Sequence, residues 1–212
     1  MQTLKPDCYQ IMAGGAMNRL IALALPLTLA LVACGTEPAQ KSLADAPLAG
    51  ATIGGPFTLV DGDGKTVTDA TFAGKYRMMY FGYTFCPDVC PVDVQNIGGA
   101  MKLLDQQNPA LAAKIVPIFV TVDPARDTPA VVKEFTANFH PRMVGLTGTP
   151  EQIDAAAKVY RVPYAKRETV SGYLMDHGRQ AYLMGPQGEP IALLPQDENP
   201  QAIVTEIERW IG

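Results

Sequence analysis

An α/β fold is what the sequence predicts: a central mixed sheet flanked by helices, with an added N-terminal hairpin. Three observations carry this. Short β-branched and aromatic runs alternate with segments of helical period. A turn signal, Asp61-Gly62-Asp63-Gly64, separates two short extended runs where the folded part begins. Two cysteines stand at the carboxyl end of the first main strand, just ahead of a helix.

The elements follow in order. Phe57 to Val60 and Val67-Thr68 flank the Asp61–Gly64 turn and make the hairpin. Asp61 and Asp63 hint at a calcium loop, but the downstream glutamate of that motif is missing, so they read as turn residues. Arg77 to Tyr83, with Met78-Met79-Tyr80-Phe81 at its centre, is a buried strand. A helix then runs to about Gln107 with Ile97, Met101 and Leu104 on one face. Ile115 to Val122 is a second, β-branched strand. Thr128 caps the next helix with Pro129 at its first position, and Val132, Phe135 and Phe139 line its inner face. Met143 to Leu146 is a third strand, and Thr149-Pro150-Glu151-Gln152 is a capping box. Tyr173 to Met175, Ala181 to Met184 and Ile191 to Leu194 are short strands around turns at Gly178 and Gly188. Asn199-Pro200 opens a last helix bearing Ile203, Ile207, Trp210 and Ile211. Thiols at a strand's carboxyl end, where open α/β sheets place their ligands, make the expected architecture thioredoxin-like.

The chain has 212 residues, 48% hydrophobic and 18% charged, enough for a real core. Its formal net charge is −4, with a sequence pI near 5.2, so nucleic acid is not an expected partner. Arg19 precedes an apolar run from Leu20 to Val32, too short to cross a bilayer and interrupted by Pro26. This reads as a secretory signal whose true start is Met17, so that Cys8 is absent from the mature protein. The run ends Leu31-Val32-Ala33-Cys34-Gly35, similar to the lipobox of bacterial lipoproteins. That likeness implies cleavage after Ala33 and lipidation of Cys34; a plain signal peptide with a chance cysteine is the alternative. The expected organisation is a signal peptide over 1–33, a lipidated tether over 34–50 and a folded domain over 51–212. Cys86 and Cys90 then remain as free thiols on the oxidising side of the membrane.

The chemistry lies in Tyr83-Thr84-Phe85-Cys86-Pro87-Asp88-Val89-Cys90-Pro91. Pro91 is expected to open the helix, with Cys90 near its N-cap and Cys86 in a mobile turn before it. The helix N-terminus then favours thiolate at Cys90, against Asp88. Side chains at i and i+4 on a helix lie roughly 5–6 Å apart at Cβ, whereas a disulfide wants about 3.5–4.5 Å. The spacing permits a metal site and a labile Cys86–Cys90 disulfide and chooses neither. His177, one of two histidines, follows Asp176 in a glycine-bearing loop. With two thiolates it makes a soft three-point set that suits copper(I), copper(II) or zinc. On its own His177 reads more readily as a surface or capping histidine than as a ligand.

The cysteine string resembles the signature of the SCO/SenC family of copper-binding cytochrome oxidase assembly proteins. Val120-Thr121-Val122-Asp123-Pro124-Ala125-Arg126-Asp127-Thr128-Pro129 is similar to the family's second block. Phe139-His140-Pro141-Arg142 with Gly145-Leu146-Thr147-Gly148-Thr149 resembles its third, and Asp176-His177 with Tyr182-Leu183-Met184 its histidine block. The resemblance implies a thioredoxin-like fold, copper as cofactor, and Cys86, Cys90 and His177 as its ligands. It implies a membrane-anchored chaperone on the periplasmic face of a bacterial membrane, delivering copper to the copper A centre of cytochrome c oxidase subunit II. Another periplasmic copper chaperone is a candidate partner. Many members use a transmembrane anchor where this chain has the lipobox, and Gly178 stands where many carry a small polar residue. A thiol–disulfide oxidoreductase, a redox or copper sensor and a structural disulfide are the competing readings; enzymatic activity is not expected beyond a reductase side activity. His140 is expected to be structural. Asp123, Arg126 and Asp127 read as cap, turn and loop-bridge residues. Met175 and Met184 read as core, with auxiliary ligation as the alternative.

Overall fold

The computed structural model describes residues 41–212. The signal peptide, the Met17 start and the lipidated Cys34 lie outside the described residues. The expected tether ends earlier than Gly50. Leu43–Asp45 forms a 3-10 turn capped by the Ser42 hydroxyl, which accepts from the Ala44 N–H. Ala46 is buried, and the Leu48 N–H donates to the Ile191 carbonyl at 3.0 Å. This stretch has few large apolar residues, so its packing left no periodic signal.

The hairpin comprises β1 (Thr58–Asp61) and β2 (Thr66–Thr68), and the Asp61 carboxylate accepts from the N–H groups of Asp63 and Lys65. Its aspartates are turn residues, as expected. The remaining strands of the main sheet are β3 (Tyr76–Gly82), β4 (Ile115–Thr121), β5 (Val144–Thr147), β8 (Ala181–Met184) and β9 (Pro190–Leu194). Their order is β2-β1-β5-β4-β3-β8-β9. β3, β4 and β5 run parallel, while β1 joins β5, and β8 joins β3 and β9, antiparallel. A parallel centre must be covered on both faces, which is why β3 and β4 read as continuous apolar runs.

Helices supply the cover: α1 (Val89–Gln107), α2 (Pro109–Ala112), α3 (Pro129–Ala137), α4 (Pro150–Val159) and α5 (Pro200–Ile211). Successive β3 side chains face opposite ways. Tyr80 stacks on Phe119, which meets Phe135 of α3 at 5.0 Å between ring centres. Phe81, pointing the other way, packs at 5.3 Å against Tyr160, which ends α4. The caps lie where the sequence placed them. Thr128, Thr149 and Asn199 accept from the N–H groups of Val131, Gln152 and Ala202, and the Gln152 side-chain oxygen accepts in turn from the Thr149 N–H.

Two differences bear on the site. α1 starts at Val89 rather than Pro91, so Pro91 is its third residue. A proline costs no hydrogen bond anywhere in the first turn, because those N–H groups have no helical partner. His177 closes a strand instead of lying in a loop. β6 (Tyr164–Thr169) and β7 (Gly172–His177) form a separate two-stranded sheet with Tyr164 opposite His177.

Candidate metal centre

β3 ends at Gly82, and the chain turns through Tyr83–Asp88 before α1 begins. Cys86 lies on that turn, Cys90 is the second residue of α1, and both are free thiols. The turn is held from below by a buried carboxylate. Asp127 accepts from the Thr84 N–H at 2.9 Å, from the Thr84 hydroxyl at 2.5 Å and from the Thr121 hydroxyl at 2.5 Å. Burial pushes the Asp127 carboxyl up and these donors oppose it. Gly82 allows the close approach of Cys90: a Cβ there would sit 3.2 Å from its Sγ.

β7 brings His177 to the two thiols. Its Nε2 lies 3.0 Å from Cys90 Sγ, and its Nδ1 lies 2.9 Å from the Gly178 carbonyl. A carbonyl can only accept, so Nδ1 carries the ring proton and Nε2 turns its lone pair toward the sulfur. The edge-on rings of Tyr80 and Tyr83 fix the plane of the imidazole. Behind them Asp93, fully buried on α1, accepts from the Tyr80 hydroxyl at 2.8 Å and from Arg179 Nη2 at 2.7 Å. The sequence reading missed Asp93; an acid in the first turns of a helix was its only signal.

The donor atoms of Cys86, Cys90 and His177 all lie within 4.8 Å of one another. A metal held at about 2.0–2.3 Å from nitrogen and sulfur in a trigonal or tetrahedral set places its donors roughly 3.5–4.0 Å apart, so the set closes on one ion after a shift of up to about 1 Å. Cys86 and His177 line a cleft of roughly 310 Å³ that also carries Arg167, Met175 and Arg179, and Cys90 lies buried behind them. Met175 lines the cleft, and Met184 is core in β8. His140 is structural: buried, it pairs with Asp105 at 3.0 Å and accepts from the Arg142 N–H.

The two thiols differ, in the reverse of the expected sense. Burial pushes the Cys86 thiol up, but the backbone N–H groups of Cys90 and Asp88, with the Cys90 thiol and Tyr83, bring it below its ordinary value. Burial drives Cys90 far above the usual thiol range. The helix N-terminus thus spends its N–H groups on Cys86. Burial also holds the His177 imidazole below its usual value, with the Gly178 bond opposing. At neutral pH Cys90 is therefore a thiol that donates to a neutral imidazole. Limiting iodoacetamide at neutral pH is expected to alkylate Cys86 at least about tenfold faster than Cys90. Peptide mapping by mass spectrometry reads this, and equal rates would contradict the asymmetry.

The profile of the family described as SCO1/SenC matches residues 45–212. Protein SenC of Rhodobacter capsulatus is 44% identical over 160 residues, 75% of this chain and 71% of that protein. Protein SCO1 homolog 1, mitochondrial, of Arabidopsis thaliana is 44% identical over 145 residues, 68% of this chain and 42% of its own. The chain thus spans less than half the length of that relative. The structure of Bradyrhizobium japonicum ScoI with copper bound shares 38% identity at a TM-score of 0.68, covering 75% of this chain and 99% of that one. Arabidopsis thaliana ScoI with copper bound matches at the same identity and TM-score, covering 74% of this chain and 96% of that one. The likeness bears out the thioredoxin-like architecture expected from thiols at a strand's carboxyl end. With the profile spanning the whole folded part, the chain belongs to the SCO1/SenC family.

Proposed function

We propose that the protein is a copper metallochaperone and that Cys86, Cys90 and His177 are its copper ligands. The observation that carries this is the meeting of two sulfurs and one unprotonated ring nitrogen, with Cys86 and His177 lining a cleft. Thiolates suit copper(I), and the added imidazole suits copper(II). Two family members of known structure hold copper. Delivery is to the copper A centre of cytochrome c oxidase subunit II, on the periplasmic side of a bacterial membrane to which Cys34 is lipid-anchored. Another periplasmic copper chaperone is the natural donor. Copper is cargo, passed by ligand exchange as partner thiolates replace Cys86 and then Cys90. Cys86 leaves first, being on the turn and not in the helix.

A second reading, a thiol–disulfide reductase, draws on the unequal thiols. Cys86 thiolate would attack a partner disulfide and release one partner thiolate. Cys90, losing its proton, would then attack Cys86 Sγ, leaving the partner reduced and Cys86–Cys90 oxidised.

Titrating the reduced protein with copper(I) and copper(II), then mixing it with an apo copper A domain, tests both readings. The chaperone binds one ion and loses it to the acceptor. Failure to bind, or turnover of an oxidised acceptor peptide without metal at full rate, would favour the reductase.

A further inference from the structure

The β6–β7 hairpin that delivers His177 shares no strand pairing with the main sheet. Lys166, Arg167 and Glu168 face solvent, and Val170 at its tip is fully exposed. A lone two-stranded hairpin is at best marginal in water, so side chains must set its position. Met175 of β7 is buried in the core, and at the far end of β7 a second anchor is Arg126. Arg126, on the loop after β4, donates from Nη1 to the Tyr173 carbonyl at 3.1 Å. Its guanidinium lies 3.8 Å from the centre of the Tyr173 ring. Its Nε reaches Asp123 at 2.5 Å, and the Tyr173 hydroxyl donates to the other oxygen of the same carboxylate at 2.9 Å. Asp123, Arg126 and Tyr173 thus close a triangle between the core and the hairpin.

The same guanidinium lies 5.1 Å from the ring of Phe85 and 5.6 Å from that of Tyr83, the residues that lead into Cys86. Its Nη2 is buried with no hydrogen-bond partner, which fits an arginine seated among ring faces. Tyr173 and His177 are four apart on one strand, so they share a face and lie roughly 13 Å apart. The planar cation therefore touches both chain segments that carry ligands: the cysteine turn and the histidine strand.

We propose that Arg126 is a positioning residue of the metal centre, a latch that docks the β6–β7 hairpin on the cysteine turn and so holds His177 within reach of the two sulfurs. This rests on reading His177 as a ligand. The Asp123–Arg126 pair is largely buried, with Asp123 only 3% exposed, and the latch it anchors joins three separate segments. Lysine keeps the charge but loses the fork and the flat stacking face, so Arg126→Lys should not restore the wild-type behaviour.

Two measurements on the whole protein test this, with the melting temperature of each variant as a folding control. In the metal-free protein, Arg126→Gln is expected to speed hydrogen exchange of the β6–β7 amides by about tenfold while β3 and β4 amides stay unchanged. Copper(II) affinity is expected to fall by about 10-fold or more, the size found when partners outside the ligand set are removed. Arg126→Lys should fall between wild type and Arg126→Gln in both. In a His177→Ala background, Arg126→Gln should cause no further loss of affinity, because the latch acts through that ligand. Unchanged hairpin exchange would overturn the latch whatever the metal data show, and so would additive losses in the double variant. Wild-type affinity in His177→Ala alone would instead overturn the ligand assignment, and the exchange result would then decide the latch.

Discussion

His177→Ala is expected to lower copper(II) affinity by at least about 100-fold while copper(I) affinity falls much less. Copper(II) gains from imidazole, and removing an inner ligand should exceed the 10–100-fold effect of outer partners. Copper(I) keeps both thiolates, whose supports are elsewhere: Asp127 under the turn and the packing of α1 over Gly82. The fold should tolerate the change, since the ring is only partly buried and the loss is the ring contacts with Tyr80 and Tyr83 and the hydrogen bonds to Cys90 and the Gly178 carbonyl, roughly 2–3 kcal/mol together. Competition against chelators of known affinity for each oxidation state, beside a thermal melt, reads all three quantities. Equal losses for the two ions, or none, would sink the ligand assignment. The pH dependence adds a signed check. Cys90 must give up its proton on loading, so affinity should rise with pH across the neutral range. The folded His177 pKa lies below the unfolded value. Between the two, the unfolded chain binds more protons. Its contribution to stability is therefore present above the ordinary histidine value and lost as pH falls through the folded one.

Legibility followed burial. β3 and β4 could be read because both faces are covered, so the apolar run needs no periodicity. The caps at Thr128, Thr149 and Asn199 are local chemistry and could be read residue by residue. β6 could not: Tyr-Ala-Lys-Arg-Glu-Thr is mostly polar and exposed on both faces, so neither period shows. With β6 unseen, His177 fell in a loop, and its meeting with the thiols followed from resemblance rather than from spacing. Pro91 misplaced the start of α1 because the first helical turn accepts proline at more than one position. The order of the thiols was reversed because depth has no sequence signature: Cys90 is 0% exposed, and that outweighs its place near a helix N-terminus. Asp123, Arg126 and Asp127 fit local cap and turn roles in the sequence. Their long-range partners, Tyr173 and Thr84, became visible only in three dimensions.

Asp93→Ala is expected to destabilise the protein by about 2–4 kcal/mol and to weaken copper(II) binding with it. The carboxylate is fully buried, and it accepts from the Tyr80 hydroxyl and from Nε and Nη2 of Arg179. Removing it strands a tyrosine hydroxyl in the core, which costs about 1–3 kcal/mol. It also leaves Arg179 unpaired, but that side chain is 42% exposed and can rehydrate, so the full penalty for breaking a buried ion pair does not apply. Asp93→Asn keeps one acceptor oxygen for Tyr80 and should cost less. Arg179→Ala errs the other way, leaving a buried carboxylate that must take up a proton or stay unpaired. The double variant Asp93→Ala/Arg179→Ala should therefore cost less than the sum of the two single changes. Denaturant unfolding with copper titration of each variant measures this; a loss under 0.5 kcal/mol for Asp93→Ala, or strict additivity, would contradict it. The coupling to metal follows from position. The Tyr80 ring stands perpendicular to the His177 imidazole, and Arg179 follows the end of β7 by two residues. One buried carboxylate on α1, the helix that bears Cys90, thus holds both the tyrosine packed on the imidazole and the residue that ends the histidine segment.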